Sequence, residues 1–77
     1  MNIVIYTKTN CPNCVNAKAL LNSKNLPFVE LDAEVPYELT QLLFRFPEAR
    51  QMPQIFIDGQ RVGGFAGLQA ALRQLGL

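Results

Sequence analysis

Cys11 and Cys14 are the only cysteines in the chain, they stand in the C-x-x-C run Cys11-Pro12-Asn13-Cys14, and there is no histidine. Two thiols at this spacing suit thiol–disulfide exchange. A thiolate, not a thiol, attacks a disulfide, so one cysteine needs surroundings that favour its ionised form near neutral pH. Cys11 falls at the end of a strand-to-helix turn, where free backbone N–H groups and the positive end of the helix dipole stabilise a negative sulfur. Lys8 upstream and Lys18, seven residues on and on the same helical face, add to that field. Three residues along a helix, Cys14 returns beneath Cys11, more buried but within reach, so it can attack a mixed disulfide on Cys11 and release the reduced substrate. Pro12 holds the segment stiffly and Asn13 points outward to meet the partner.

Three other readings compete. Two inert buried cysteines, or a structural disulfide, are the bland ones. A single bridge closing so short a loop constrains the unfolded chain little, and secreted mini-proteins usually carry several. A metal is the third: two thiolates without histidine fall short of the four ligands of a structural zinc. A zinc or bridged iron–sulfur cluster would therefore need a dimer or an external thiol, and Pro12 removes an N–H that could support cluster sulfur. The expectation is no bound metal or cofactor.

Positioning the cysteines falls to the elements around them. Residues 2–6, rich in Ile, Val and Tyr, read as a buried strand. Thr7 to Asn10 supplies polar capping candidates, and Pro12 suits the first turn of a helix running to about Lys24, with Cys14, Ala17, Leu20 and Leu21 inward. Pro27 to Leu31 reads as a second strand. Pro36 opens a second helix striped by Leu39, Leu42, Leu43 and Phe46, which Pro47 ends. Two strands joined by a helix imply a parallel pair with a right-handed crossover. Gln54 to Ile57, then Asp58-Gly59, then Gln60 to Val62, predict a tight antiparallel hairpin, broken by Gly63-Gly64. Leu68, Ala71, Leu72 and Leu75 mark a closing helix. The sum is α/β, β-α-β-α-β-β-α, with a four-stranded mixed sheet and one domain over 1–77.

Size and charge bound the rest. Near 77 residues, folding buries only about 60% of the unfolded surface, so any core is thin. No apolar run approaches the roughly 20 residues of a membrane span, and the start lacks the basic leader of a signal peptide, which points to the cytoplasm. A net charge of +1 gives no support to nucleic-acid or membrane-surface binding. The charge is unevenly spread: residues 1–29 hold Lys8, Lys18 and Lys24 and no acid, whereas Glu30, Asp32, Glu34 and Glu38 fall within nine residues. Two solvated faces would explain this; so would a positive field centred on the cysteines.

Ile5-Tyr6-Thr7-Lys8 before Cys11-Pro12-Asn13-Cys14, Ala17-Lys18-Ala19-Leu20-Leu21 after it, Met52-Pro53-Gln54-Ile55-Phe56-Ile57-Asp58-Gly59, and Val62-Gly63-Gly64-Phe65 together resemble the glutaredoxins over essentially the full chain. The resemblance implies a thioredoxin-like fold, a monomer, and glutathione as the reducing co-substrate. Taken alone, Met52-Pro53 is an ordinary loop dipeptide, since only about 5% of X-Pro bonds are cis. The resemblance implies a cis bond lying against the cysteines, with Met52 offering its N–H and C=O to glutathione's cysteine like an added strand. Gly63-Gly64 reads as a strand terminator, or as a place where ligand approaches backbone, with the N–H groups of Phe65 and Ala66 binding the γ-glutamyl carboxylate. Lys8 and Gln51 would meet the glycine-end carboxylate.

Two departures from the family pattern stand out. Asn13 replaces a frequent aromatic beside the sulfur, and Ala66-Gly67 stands where many relatives carry Thr-Asp or Asp-Asp. The missing carboxylate would have paired with glutathione's amine, a charged hydrogen bond worth about 1.5 to 3 kcal/mol. The expected function is glutathione-dependent reduction of protein disulfides and glutathione mixed disulfides, ribonucleotide reductase being one candidate partner. The alternatives are a glutaredoxin-like donor reduced by thioredoxin reductase, whose relatives tend to carry Trp-Ser-Gly-Phe near the second glycine, and a dimeric cluster carrier.

Overall fold

The structure, a computed structural model, describes residues 1–77. Strand β1 (Ile3–Thr7) leads to helix α1 (Pro12–Ser23), then β2 (Val29–Asp32), α2 (Pro36–Arg45), β3 (Gln54–Ile57), β4 (Gln60–Gly63) and α3 (Phe65–Gln74). The sheet order is β2-β1-β3-β4. β1 pairs parallel with β2 and antiparallel with β3, which pairs antiparallel with β4. This is the expected mixed sheet and the thioredoxin-like order.

Alternation along β1 and β3 divides the interior in two. Ile3, Ile5, Ile55 and Ile57 turn to one face, where Ala17 and Leu21 of α1 and Leu68 and Leu72 of α3 close over them. Tyr6 and Phe56 turn to the other, against Ala33, Leu42 of α2 and Ala49. Tyr6 and Phe56 meet edge-on at 5.8 Å. Both faces of the two central strands are thus covered, which makes β1 a rigid mount for whatever follows Thr7.

Asp58 and Gly59 take left-handed φ values of 51° and 82°, as a two-residue hairpin turn requires. Asp58 also ties the turn to the start of β1, its carboxylate accepting from the Asn2 N–H at 2.7 Å. Two expectations shift. The strand read over residues 27–31 begins at Val29 and runs to Asp32, because Pro27 has no N–H for the ladder while Phe28 packs against the first cluster. It is an edge strand, with Val29 53% exposed, so its apolar residues do not mark a core strand. The cap of α1 is Cys11 itself and none of the polar residues Thr7 to Asn10.

Candidate active site

β1 delivers the chain to the loop Lys8 to Asn10, where Asn10 adopts φ 54° to reverse direction. Cys11 then sits extended at φ −120°, ψ 95° as the N-cap of α1, with Pro12 at the first helical position. Cys11 and Cys14 are joined as a disulfide across three residues. The Cys14 N–H donates to Cys11 Sγ at 3.1 Å. A sulfur in the cap position thus receives one backbone N–H directly and faces the unpaired start of the helix, with no acidic residue in its first turn. Cys14, at 2% exposure against 8% for Cys11, is the more buried partner, as expected. Pro12 and Asn13 are exposed.

The lysine field comes out weaker than expected. Lys18 Nζ lies 2.9 Å from Glu30 Oε2, so its charge is largely answered before it reaches the sulfurs. Glu30 also accepts the buried Thr7 hydroxyl at 2.6 Å. That hydrogen bond first, and Lys18 second, hold the Glu30 carboxyl below the usual carboxylate range. Glu34 accepts from the Thr9 N–H at 2.9 Å and its hydroxyl at 3.1 Å, and Asp32 accepts from the Glu34 N–H at 2.8 Å. Glu30 and Glu34 are therefore tied to Thr7 at the end of β1 and to Thr9 in the loop after it, and do not form a separate face. A charged hydrogen bond is worth about 1.5 to 3 kcal/mol, against up to about 1 kcal/mol for an exposed ion pair. A Cys11 thiolate in this geometry would therefore draw more from the Cys14 N–H than from Lys18, whose charge Glu30 already meets.

Lys8 is exposed and, with Asn10, Cys11, Pro12, Cys14 and Lys18, lines a cavity of about 520 Å³. On the other side of the disulfide, the Met52–Pro53 bond is cis. Its Met52 carbonyl oxygen lies 3.5 Å from Cys11 Sγ. In the disulfide that sulfur has no proton and the approach is a contact; in the reduced protein the thiol can donate there. Pro53 is buried, and a Cβ built on Gly64 would meet the Pro53 carbonyl at 3.7 Å, so the β4–α3 turn adjoins the proline. Gly63, at φ 98°, makes that turn, and Gly64 caps α3 without any side-chain hydrogen bond, leaving the first N–H groups of the helix open at Phe65 and Ala66. The Phe65 side chain packs on the first core cluster. The Gln51 side chain is exposed.

Two features escaped sequence reasoning. In the sequence Gly67 marks only a missing carboxylate, yet a Cβ there would overlap the Val62 carbonyl oxygen and lie 2.9 Å from the Val62 carbonyl carbon. Val62 falls between the Ile55–Gly63 and Phe56–Arg61 pairs, at a break in register that frees its carbonyl from the ladder to face α3. The second is Gln54, a buried amide whose Nε2 donates to the Gln51 carbonyl at 2.7 Å. A lone polar residue opening a strand that continues Ile-Phe-Ile was the available signal.

Comparison with known proteins agrees with this arrangement. The glutaredoxin family model matches residues 3–62. Glutaredoxin 3 of Escherichia coli K12 is 42% identical over 69 residues, covering 90% of this chain and 83% of its own. The solution structure of glutaredoxin from Brucella melitensis superposes with a TM-score of 0.74 at 39% identity, over 99% of this chain and 82% of that one. The glutaredoxin-like NrdH-redoxin from Escherichia coli, described as having a thioredoxin-like activity profile, superposes at 0.76 with 25% identity, over 91% and 93%. The chain belongs to the glutaredoxin family, thiol–disulfide oxidoreductases whose redox-active cysteine pair is here Cys11 and Cys14.

Proposed function

We propose that the chain is a glutathione-dependent oxidoreductase that reduces protein disulfides and glutathione mixed disulfides. Cys11 thiolate attacks the substrate disulfide, forming a mixed disulfide and releasing one thiolate. Either Cys14 attacks Cys11 Sγ, freeing the second substrate thiol and leaving the Cys11–Cys14 disulfide, or glutathione resolves the intermediate. On the Cys14 route two glutathiones then return Cys11 and Cys14 to thiols and leave as oxidised glutathione; where Cys11 carries glutathione itself, one further glutathione frees Cys11 and leaves as oxidised glutathione.

The observation that carries the reading is the free backbone of Met52 beside Cys11. Its carbonyl is 3.5 Å from the sulfur and its N–H bonds nothing in the protein, a strand edge for a thiol peptide. The γ-glutamyl carboxylate is assigned to the N–H groups of Phe65 and Ala66 beyond Gly63-Gly64. The glycine-end carboxylate is assigned to Lys8 with Gln51. Pro12, Asn13 and Pro53 form the walls. Residues 1–77 act as one monomeric domain in a reducing compartment such as the cytoplasm, without a bound cofactor or metal. Disulfide-bearing proteins, ribonucleotide reductase among them, are the partners in view.

Charging Cys14→Ser protein with glutathione on Cys11 tests the site. The amide resonances of Met52, Phe65 and Ala66 are expected to move together; a loaded protein in which they stay put would remove the assignment. One observation favours a second reading, reduction by thioredoxin reductase: the first turn of α3 holds no acid to meet glutathione's amine.

A further inference from the structure

Residues 51–53 make no backbone hydrogen bond to the rest of the chain. Apart from the Cys11 Sγ approach to the Met52 carbonyl, one side chain supplies the hydrogen bond to the segment that carries Met52. Gln54 Nε2 donates to the Gln51 carbonyl at 2.7 Å, from a residue that is only 9% exposed. The Gln51–Met52 peptide is trans, so its carbonyl and its N–H point in opposite directions. With the carbonyl drawn inward to Gln54, the Met52 N–H is turned outward.

The rest of the Gln54 amide makes this worth explaining. Its Oε1 is buried and has no partner, an arrangement that works against stability, since an unsatisfied buried oxygen costs about 1 to 3 kcal/mol. An apolar residue of the same length would fill the space without that penalty. Gln54 is therefore poorly accounted for as a packing residue and well accounted for as a donor to Gln51.

We infer that Gln54 is a positioning residue for peptide recognition, fixing the Gln51–Met52 peptide plane so that the Met52 N–H faces the backbone of an incoming thiol peptide. This rests on the proposed use of Met52 and adds the group that sets its orientation. It also predicts a specificity: substrates with a peptide group next to the disulfide gain from Gln54, and disulfides without one do not.

Gln54→Met tests it in single-turnover reactions of the reduced protein. With oxidised glutathione the rate constant is expected to fall about five- to tenfold, the scale of one lost hydrogen bond. With 2,2′-dithiodipyridine, which has no peptide group, it should stay within about twofold, and the Tm should hold or rise, since a buried unsatisfied oxygen is removed. Equal slowing of both disulfides, or of neither, overturns the inference. Failure of the wild type to react faster with oxidised glutathione than with bis(2-hydroxyethyl) disulfide, whose leaving thiol is similarly basic and which has no peptide group, overturns the underlying reading instead. A measurement on the wild type stands independently of the variant's folding: the Gln54 side-chain N–H protons should exchange slowly and shift when Cys11 of the Cys14→Ser protein carries glutathione, but not 2-mercaptoethanol. Fast exchange, or the same response to both, counts against it.

Discussion

At Cys11 the backbone that starts a helix also prepares a nucleophile. The sulfur occupies the cap position, accepts the Cys14 N–H at 3.1 Å, and meets no acid in the first turn of α1. Its partner is held one turn away and buried, shielded from competing thiols until a mixed disulfide forms. Cys11→Ser is expected to abolish every activity. Cys14→Ser should lose protein-disulfide reduction and keep deglutathionylation, which one cysteine and glutathione can complete; measuring both activities on each variant checks the division of labour, and a Cys14→Ser protein lacking both would contradict it. Alkylation of the reduced protein at pH 6 should modify Cys11 well ahead of Cys14 and faster than free cysteine. The pairing of the two sulfurs and the deeper burial of Cys14 could be read from C-x-x-C spacing beside a helix start. What could not be read was the source of the field, since nothing in the sequence says that Lys18 would meet Glu30 across 12 positions at 2.9 Å.

Between β4 and α3, contact is set by a glycine whose importance is steric. Gly67→Ala would drive a methyl into the Val62 carbonyl, so α3 must move off the sheet; a loss of roughly 2 to 3 kcal/mol is expected, within the range for overpacking, and urea denaturation would measure it. Gly67→Asp should therefore fail to supply glutathione's amine with its carboxylate, because the same overlap displaces the helix first. At the other end of the site, β2 reaches back to the β1–α1 loop through Glu30. Its carboxyl, lowered by Thr7 and then Lys18, binds a proton more weakly folded than unfolded. The stability it contributes is complete above the unfolded glutamate value, about 4.3, and is lost as the pH falls through the lower folded value. Glu30→Gln should thus be less stable than wild type at pH 7, with the gap closing below about pH 4; parallel Tm curves across that range would contradict the linkage. Element order was legible because helix and strand periods alternate cleanly along the chain. The edge exposure of β2 and the role of Gly67 were not, since both depend on which elements become neighbours in space.

Across the whole molecule, the redox pair lies where three chain segments distant in sequence converge: the start of α1, the cis Met52–Pro53 bond and the Gly63-Gly64 turn. Two thin clusters, of eight and five buried residues on opposite faces of one sheet, hold those segments in register. The sequence motifs named the segments; the fold shows that the Met52 carbonyl and Cys11 Sγ lie 3.5 Å apart. On the proposed reading, the choice of reductant turns on the free Met52 backbone against the lack of an acid in the first turn of α3. The most direct test is NADPH-coupled disulfide reduction by the pure protein, run with glutathione plus glutathione reductase and, in parallel, with thioredoxin reductase alone. Turnover with glutathione and little without it is expected; turnover with thioredoxin reductase alone, and none with glutathione, would contradict the assignment of Met52, Phe65 and Ala66 to glutathione.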